Sequence, residues 1–353
     1  MHQLDHTDFV LRLDPKGMYR LTTEFPAQCA RALEIVRSTD LGTLAKPVAS
    51  VVLTGLGGSA AGGDFTRALF EASAKVPFTV NRDYHLASYV GPETLVFATS
   101  YSGNTEETLS AYEDAKSRGA QIVVVTNGGK LAEAAKAGGY PTILIPAGQP
   151  PRTALGYLLI PVVFACEKFG LIPAQDYATA FKLLETCVAD WSIEVPFENN
   201  QAKQLAAELC GNLSVLYGLG SWQGIVANRW KGQINENSKN MTFANAFPEL
   251  NHNEILGWVG AGRQGVKKWI AVYLEDGTES AKLKARAAVT ANLIKDVAKV
   301  FRVQARGNDL LQKMLSLTLF GDFVSLYLAA LNEVDPENID SINILKAELS
   351  KVP

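Results

Sequence analysis

Between Ser50 and Pro146 the chain alternates short β-rich runs with helical stretches, and few folds can accommodate that alternation. The runs are Val51-Val52-Leu53-Thr54, Thr94-Leu95-Val96-Phe97-Ala98, Ile122-Val123-Val124-Val125 and Thr142-Ile143-Leu144-Ile145. Patterned segments lie between them at Asp64–Ala74, Thr105–Arg118 and Lys130–Ala137. Nearly continuous apolar strands must be covered on both faces, and strands separated by helices run parallel. The pattern therefore predicts a doubly wound parallel sheet, on which ligands sit at the carboxyl ends of the strands.

The second half repeats the plan. Val52-Leu53-Thr54-Gly55-Leu56-Gly57-Gly58 aligns without gaps to Val215-Leu216-Tyr217-Gly218-Leu219-Gly220-Ser221. Trp269–Leu274 and Ala298–Val303 match the second and third runs of the first copy. The expected fold class is α/β, with two doubly wound parallel-sheet domains in tandem, a helical linker and a helical C-terminal tail. Expected bounds are an N-terminal helical segment at 1–49, the first domain at 50–150, the linker at 151–205, the second domain at 206–315 and the tail at 316–353. A chance strand–glycine similarity is the competing account of the repeat.

A chain of 353 residues, 47% hydrophobic and 20% charged with a net charge of −3, has room for two globular domains and offers no basic stripe for nucleic acid. Its first residues, Met1-His2-Gln3-Leu4-Asp5-His6, lack the apolar core of a secretory signal. The longest apolar stretch, Ala154 to Cys166, is interrupted by Gly156 and Pro161 and too short to span a bilayer. Cys29, Cys166, Cys187 and Cys210 are dispersed, which implies neither a zinc site nor a disulfide framework. A cytoplasmic protein with reduced thiols, no bound metal, no cofactor and no membrane partner is expected.

The chemistry-bearing residues fall in three places. After the run ending at Ala98 comes Ser100-Tyr101-Ser102-Gly103-Asn104-Thr105-Glu106-Glu107-Thr108, a strand that stops in hydroxyls and a glycine and then starts a helix. Ser100, Ser102 and Thr105 with free backbone N–H groups can bind a phosphate without a lysine; the alternative is an ordinary capped turn. The turn Gly55-Leu56-Gly57-Gly58-Ser59-Ala60-Ala61-Gly62-Gly63-Asp64 almost fits a dinucleotide fingerprint, but hydroxyls crowded beside it suit a sugar phosphate better than an adenine nucleotide. Ser59 is expected to contact the sugar phosphate, with Gly57 and Gly58 letting the backbone approach. In the second copy, aligning Gly103 with Gly277 puts Leu274, Asp276 and Glu279 at the hydroxyl positions, so only the first copy keeps an anion site.

Pro150-Pro151-Arg152-Thr153 opens the linker, and Arg152 is expected at a domain surface, either near the reacting sugar or merely solvated. The third place reads as a polar loop, Gln233–Lys239, followed by Phe247-Pro248-Glu249-Leu250-Asn251-His252-Asn253-Glu254. Aldose–ketose isomerisation needs a carboxylate to carry a proton between two carbons and a second group to open the ring. Glu236 and His252 are the best pair available, and a structural role is the competing account of His252. His2 and His6 lie in a terminus expected to be mobile, and His85 lies among ordinary loop residues.

Taken in order, the motifs G-L-G-G-S-A-A-G-G-D, S-Y-S-G-N-T-E-E-T, P-R-x-A-L-G-Y, N-E-N-S-K and F-P-E-L-N-H-N-E resemble those of the bifunctional phosphoglucose/phosphomannose isomerases. Gly321-Asp322, Asp335-Pro336 and Leu345-Lys346 extend the match, which runs from about residue 50 to 350. These are tandem sugar isomerase (SIS) domain proteins of archaea and some bacteria. The resemblance implies that Ser100, Ser102 and Thr105 hold the phosphate and that Ser59 and its glycines shape the same pocket. It implies further that Glu236 is the catalytic base, His252 opens the ring, Arg152 stabilises the enediol(ate) and Lys346 assists ring opening. It also implies metal-free catalysis in a homodimer, with His252 serving the partner's site. Phe243, Phe247, Leu250, Ile255, Leu256 and Trp258 could form the apolar core of that interface. Where many members read Asp-Pro-Thr-Pro, this chain has Asp335-Pro336-Glu337-Asn338, and the threonine is linked to accepting mannose 6-phosphate. A non-catalytic SIS protein that senses a sugar phosphate is the alternative in a different class, although the first fifty residues lack a basic DNA-binding pattern. An amino-sugar isomerase would need an ammonia-supplying domain that this length excludes.

Overall fold

Apolar runs that no water can reach must pair their backbone groups with one another, and here they do so in two parallel sheets. The computed structural model describes residues 2–349 and Lys351; Met1, Ser350, Val352 and Pro353 of the expected terminal segments lie outside the described residues. In chain order the strands are β1 (Ser50–Thr54), β2 (Phe78–Asn81), β3 (Thr94–Ser100), β4 (Gln121–Thr126), β5 (Thr142–Leu144), β6 (Leu213–Gly218), β7 (Thr242–Ala246), β8 (Trp269–Glu275) and β9 (Ala298–Gln304). The first sheet has the order β2-β1-β3-β4-β5 and the second β7-β6-β8-β9, every pairing parallel. The second order is the first one repeated without its last strand, so the seven-residue match marks a duplicated topology. β2 and β7 escape the sequence reading: β2 is four residues long, and β7 (Thr-Phe-Ala-Asn-Ala) is too polar to stand out from its surroundings.

The chain divides into two compact units, each described by itself. One consists of residues 24–183 with 309–312, the other of 1–23, 184–308 and 313–353. The expected linker is helical (Leu155–Lys168, Tyr177–Trp191, Gln201–Leu209) but is shared between the units and forms no body of its own. The first 23 residues join the unit that holds the second sheet, because polar groups tie them there. Lys203, buried completely, donates to Asp5 Oδ1 at 3.1 Å and to the carbonyls of Ile193 and Val195; Ile193 N donates to the Tyr19 hydroxyl at 2.6 Å. His2 caps the first turn and stacks on Phe197 with ring centroids 3.9 Å apart. These contacts replace the mobile terminus expected from sequence.

In the first unit, Val52, Val96, Ala98, Ile122 and Val124 pack on one face of the sheet against Ala111, Tyr112 and Ala115 of the helix Glu106–Ser117 and against Leu131 and Ala135 of the helix Gly129–Gly138. Leu53 points to the other face, where Gly63 of the helix Gly57–Ser73 lies against its methyl groups. All seven residues of β3 are buried, which is why its sequence shows no alternation. In the second unit, Val215, Tyr217, Ala271, Tyr273 and Ala298 pack with Phe247, Leu250, Ala287 and Ile294. The helix Leu310–Leu331 is long and apolar enough to cross a membrane, a property the sequence reading does not single out, but 94% of its most apolar window is buried inside the fold.

Candidate active site

Strand order dictates where a ligand can sit. After β1 the chain moves to β2 on one side, and β3 then pairs with β1 on the other, so β1 and β3 flank the point where the winding reverses. Two helices begin at the carboxyl ends of these neighbouring strands, Gly57–Ser73 and Glu106–Ser117. Their first-turn N–H groups have no carbonyl within their own helix, and a crevice between them favours an anion.

The side chains in that crevice are arranged as donors. Ser59 Oγ accepts from Tyr101 N at 3.2 Å, Ser100 Oγ from Gly103 N at 3.1 Å and Ser102 Oγ from Asn104 N at 3.3 Å. Thr105 occupies the N-cap position but makes no capping hydrogen bond; its hydroxyl pairs instead with Ser100 Oγ at 2.9 Å. An oxygen that accepts from a backbone N–H keeps its own proton to donate. The cluster thus offers at least three hydroxyl protons: from Ser59, from Ser102 and from one member of the Ser100–Thr105 pair. Phosphate oxygens at neutral pH are acceptors, so this polarity fits them and is more than the capped turn requires.

Gly57 and Gly58 serve this crevice through the protein's own backbone. Gly57 has φ +52°, and a Cβ on Gly58 would lie 2.6 Å from the Pro151 carbonyl oxygen. Gly58 thereby lets the Pro151–Thr153 turn approach the helix start, so Arg152 from the linker joins the hydroxyl cluster's own unit. Arg152 is 7% exposed, which corrects the expectation of a surface arginine: the diproline turn carries it inward. The structure therefore brings Gly57, Gly58, Ser59, Ser100, Ser102, Thr105 and Arg152 into one region of one unit.

The corresponding turn of the second sheet is closed by its own carboxylates. Asp276, half-buried with its side chain 5% exposed, accepts from Lys313 Nζ at 2.8 Å and from Thr278 N at 2.8 Å. Burial alone would raise its pKa, but these partners hold it below the usual aspartate value. Glu279 Oε1 in turn accepts from Asp276 N at 2.5 Å. An incoming phosphate would meet negative charge already bonded to the donors it needs.

Glu236, His252 and Lys346 belong to the other unit. Glu236 does not lie in a loop, as the polar sequence suggests: it is in the last turn of the helix Ser221–Ser238. The polar residues around it fasten that turn. Gln233 Nε2 donates to Asp322 Oδ1 at 2.8 Å, Asn237 Nδ2 to Ser325 Oγ at 2.9 Å and Ser238 Oγ to the Ser325 carbonyl at 2.7 Å. Asn235 Oδ1 accepts from Thr242 N at 3.0 Å. Lys239 closes the helix in the left-handed region (φ +51°), and its ammonium bridges the carbonyls of Glu236 and Asp335 at 2.8 and 2.6 Å. The N-E-N-S-K run thus sets one carboxylate within a rigid polar frame.

His252 ends a short 3-10 turn, Glu249–His252, and is exposed. The turn is held on both sides: Asn251 Nδ2 donates to Thr290 Oγ1 at 2.9 Å, and Glu254 accepts from the Tyr217 hydroxyl and from Asn245 Nδ2. Lys346 lies on the helix Asp340–Leu349, none of whose residues is buried. The expected interface set needs correction too. Phe247 and Leu250 are 2% and 0% exposed because they fill the core above β6 and β8, whereas Leu256 and Val259 are 72% and 78% exposed. Sequence reasoning misses the buried pair Arg229–Asp322, with Arg229 Nη2 at 3.1 Å from Asp322 Oδ2, although Gly321-Asp322 is among the motifs. Burial raises the Asp322 carboxyl above its usual value, against the opposing effects of Arg229 and Gln233. Among the described residues no group of three or more His, Cys, Asp or Glu is arranged to hold a metal.

Comparison with known proteins agrees with the two-sheet fold. Residues 44–141 match the SIS domain, and residues 198–349 match the bacterial phospho-glucose isomerase C-terminal SIS domain. A protein of Caldicellulosiruptor bescii named bifunctional phosphoglucose/phosphomannose isomerase is 43% identical over 338 residues, covering 95% of this chain and 99% of its own length. One of the same name from Thermoplasma volcanium is 34% identical, covering 85% of this chain and 91% of its own. A hypothetical protein from Thermus thermophilus, 17% identical, shares the fold with a TM-score of 0.72 over 98% of this chain and 93% of its own.

Proposed function

The chain belongs to the bifunctional phosphoglucose/phosphomannose isomerase family, and on that premise we propose that it interconverts glucose 6-phosphate and mannose 6-phosphate with fructose 6-phosphate. The observation that carries this reading is the donor-oriented hydroxyl cluster at the winding reversal, with a buried arginine in the same unit. In this reading Ser59, Ser100, Ser102 and Thr105 hold the phosphate, and His252, assisted by Lys346, opens the ring. Glu236 then removes the proton from C2 of the open aldose, Arg152 offsets the charge of the enediol(ate), the O2 proton passes to O1, and Glu236 returns its proton at C1 as the carbonyl forms at C2. The relatives matched along most of their length bear the names of enzymes, which gives the sensor alternative no support. No metal is invoked, and the four cysteines are free thiols, in keeping with a cytoplasmic setting.

Mannose 6-phosphate is included although Glu337 replaces the threonine of many members. Glu337 is engaged by Lys16 Nζ at 2.9 Å, and its N–H by Asp335 Oδ1 at 2.8 Å. A coupled assay from fructose 6-phosphate, with separate detection of glucose and mannose 6-phosphates, should show both products. Glucose 6-phosphate alone would restrict the enzyme to one activity, and neither would remove the reading.

Ser100→Ala combined with Ser102→Ala should raise KM for the sugar phosphate far more than it lowers kcat. Each hydroxyl contact to a charged group contributes about 1.5–3 kcal/mol. An unchanged affinity in a folded variant would move the phosphate elsewhere.

We also propose a homodimer in which His252 serves the neighbouring subunit's site; the exposed Leu256 and Val259, a few residues beyond His252, offer apolar surface for such an interface. Mixing an inactive Glu236→Gln protein with an inactive His252→Ala protein should then restore part of the activity, because half the sites in a heterodimer carry neither lesion. No recovery, with subunit exchange demonstrated, would show that each chain completes its own site.

A further inference from the structure

Tyr101 stands between two serines of the phosphate turn, yet its polar groups reach three other segments. Its N–H donates to Ser59 Oγ at 3.2 Å, its carbonyl accepts from Asn127 N at 3.0 Å, and its phenol oxygen accepts from Gln149 N at 3.3 Å. The residue is 6% exposed, and burial raises the phenol pKa, so the hydroxyl stays neutral. Gln149 leads directly into Pro150 and Pro151, whose rings fix φ, so the chain has little freedom from Gln149 to Arg152. Neither proline has an N–H, which makes Gln149 the last backbone donor before Arg152. Beyond Arg152, Thr153 N closes the 3-10 turn on the Pro150 carbonyl at 2.9 Å, and the Thr153 carbonyl accepts from Gln28 Nε2 at 2.9 Å. The turn that carries Arg152 is thus pinned by Tyr101 on entry, by Gln28 on exit and by the Gly58 backbone in between.

We propose that Tyr101 is a positioning residue for Arg152: its hydroxyl fixes the entry of the diproline turn and so sets where the guanidinium meets a ligand held by the Ser100–Thr105 turn. The role proposed above for Arg152 is the premise. Tyr101 binds Ser59 through its backbone, so losing the hydroxyl leaves the phosphate hydroxyls tied as before and releases the arginine turn together with the hydroxyl's hydrogen bond to the Asn127 side chain.

Tyr101→Phe keeps the ring and removes the hydroxyl that accepts from Gln149 N. Its kcat should fall by roughly 10- to 100-fold, the scale of a displacement of about 1 Å in a catalytic group, while KM for fructose 6-phosphate changes little. In an Arg152→Ala background the same change should cost nothing further. Arg152 should also react faster with phenylglyoxal in Tyr101→Phe than in the wild type, as located by peptide mapping at an unchanged melting temperature. A further fall in the double variant, or wild-type kcat and labelling in the single one, would overturn the proposal. Full kcat in Arg152→Ala alone would instead remove Arg152 from catalysis; the labelling rate would still decide the positioning, with acceleration supporting it and no change overturning it.

Discussion

Glu236→Gln is expected to lower kcat by roughly 10²–10⁴ with the fold unchanged, the loss typical of a missing general base. The substitution keeps the shape of the side chain and removes only its ability to take a proton. Its helix turn should hold, because Gln233, Asn237 and Ser238 are fastened to Asp322 and Ser325 independently of residue 236. Affinity for a sugar-phosphate analogue should change little, since the hydroxyls proposed to hold the phosphate belong to the other unit. Exchange of the C2 proton with deuterated solvent should slow in parallel with turnover. Near-normal turnover or exchange would assign the base to another residue.

The largest expected effect on stability is at Asp322. Its carboxylate is shared by Arg229, at 3.1 and 3.3 Å, and by Gln233, and all three side chains are buried. Asp322→Ala removes one side of a buried pair, which costs about 3–5 kcal/mol because the remaining charge stays in a place without water. The loss should appear in denaturant unfolding. Asp322→Asn retains hydrogen-bonding capacity and serves as the comparison. Burial raises the Asp322 carboxyl, so the native state holds that proton to higher pH than the unfolded chain does. Stability from this group is therefore greatest below the unfolded aspartate value and declines as pH rises through the raised native one. The stability of the wild type relative to Asp322→Asn should fall across that window and level off above it; a difference independent of pH would contradict the assignment.

The two sheets and the hydroxyl-rich turn after β3 were legible because they leave a local pattern along the chain. A buried parallel strand needs a nearly continuous apolar run, and a strand that ends in hydroxyls before a helix start is visible in nine residues, Ser100–Thr108. The duplication was legible for the same reason, and the acids at Asp276 and Glu279 already marked the second turn as unfit for phosphate.

The nature of Glu236's surroundings was not legible. A run as polar as Gln233–Lys239 reads as a loop until the helix Leu310–Leu331 supplies Asp322 and Ser325 as partners, some ninety residues away. Phe247 and Leu250 look like interface residues beside Leu256, and only packing over β6 and β8 separates the buried pair from the exposed one. Arg152 follows the same rule. Its sequence shows a charged residue after two prolines, and whether that charge faces water or a ligand depends on contacts with Tyr101, Gly58 and Gln28. The sequence alone determined the long buried strands, most of their helices and the position of the hydroxyls along the chain, because a buried parallel strand needs a nearly continuous apolar run that shows locally, whereas the short or polar β2 and β7 did not. Which polar groups are buried, and what holds them there, only the tertiary structure decided, because a polar side chain inside a fold is stable only where distant segments complete its hydrogen bonds.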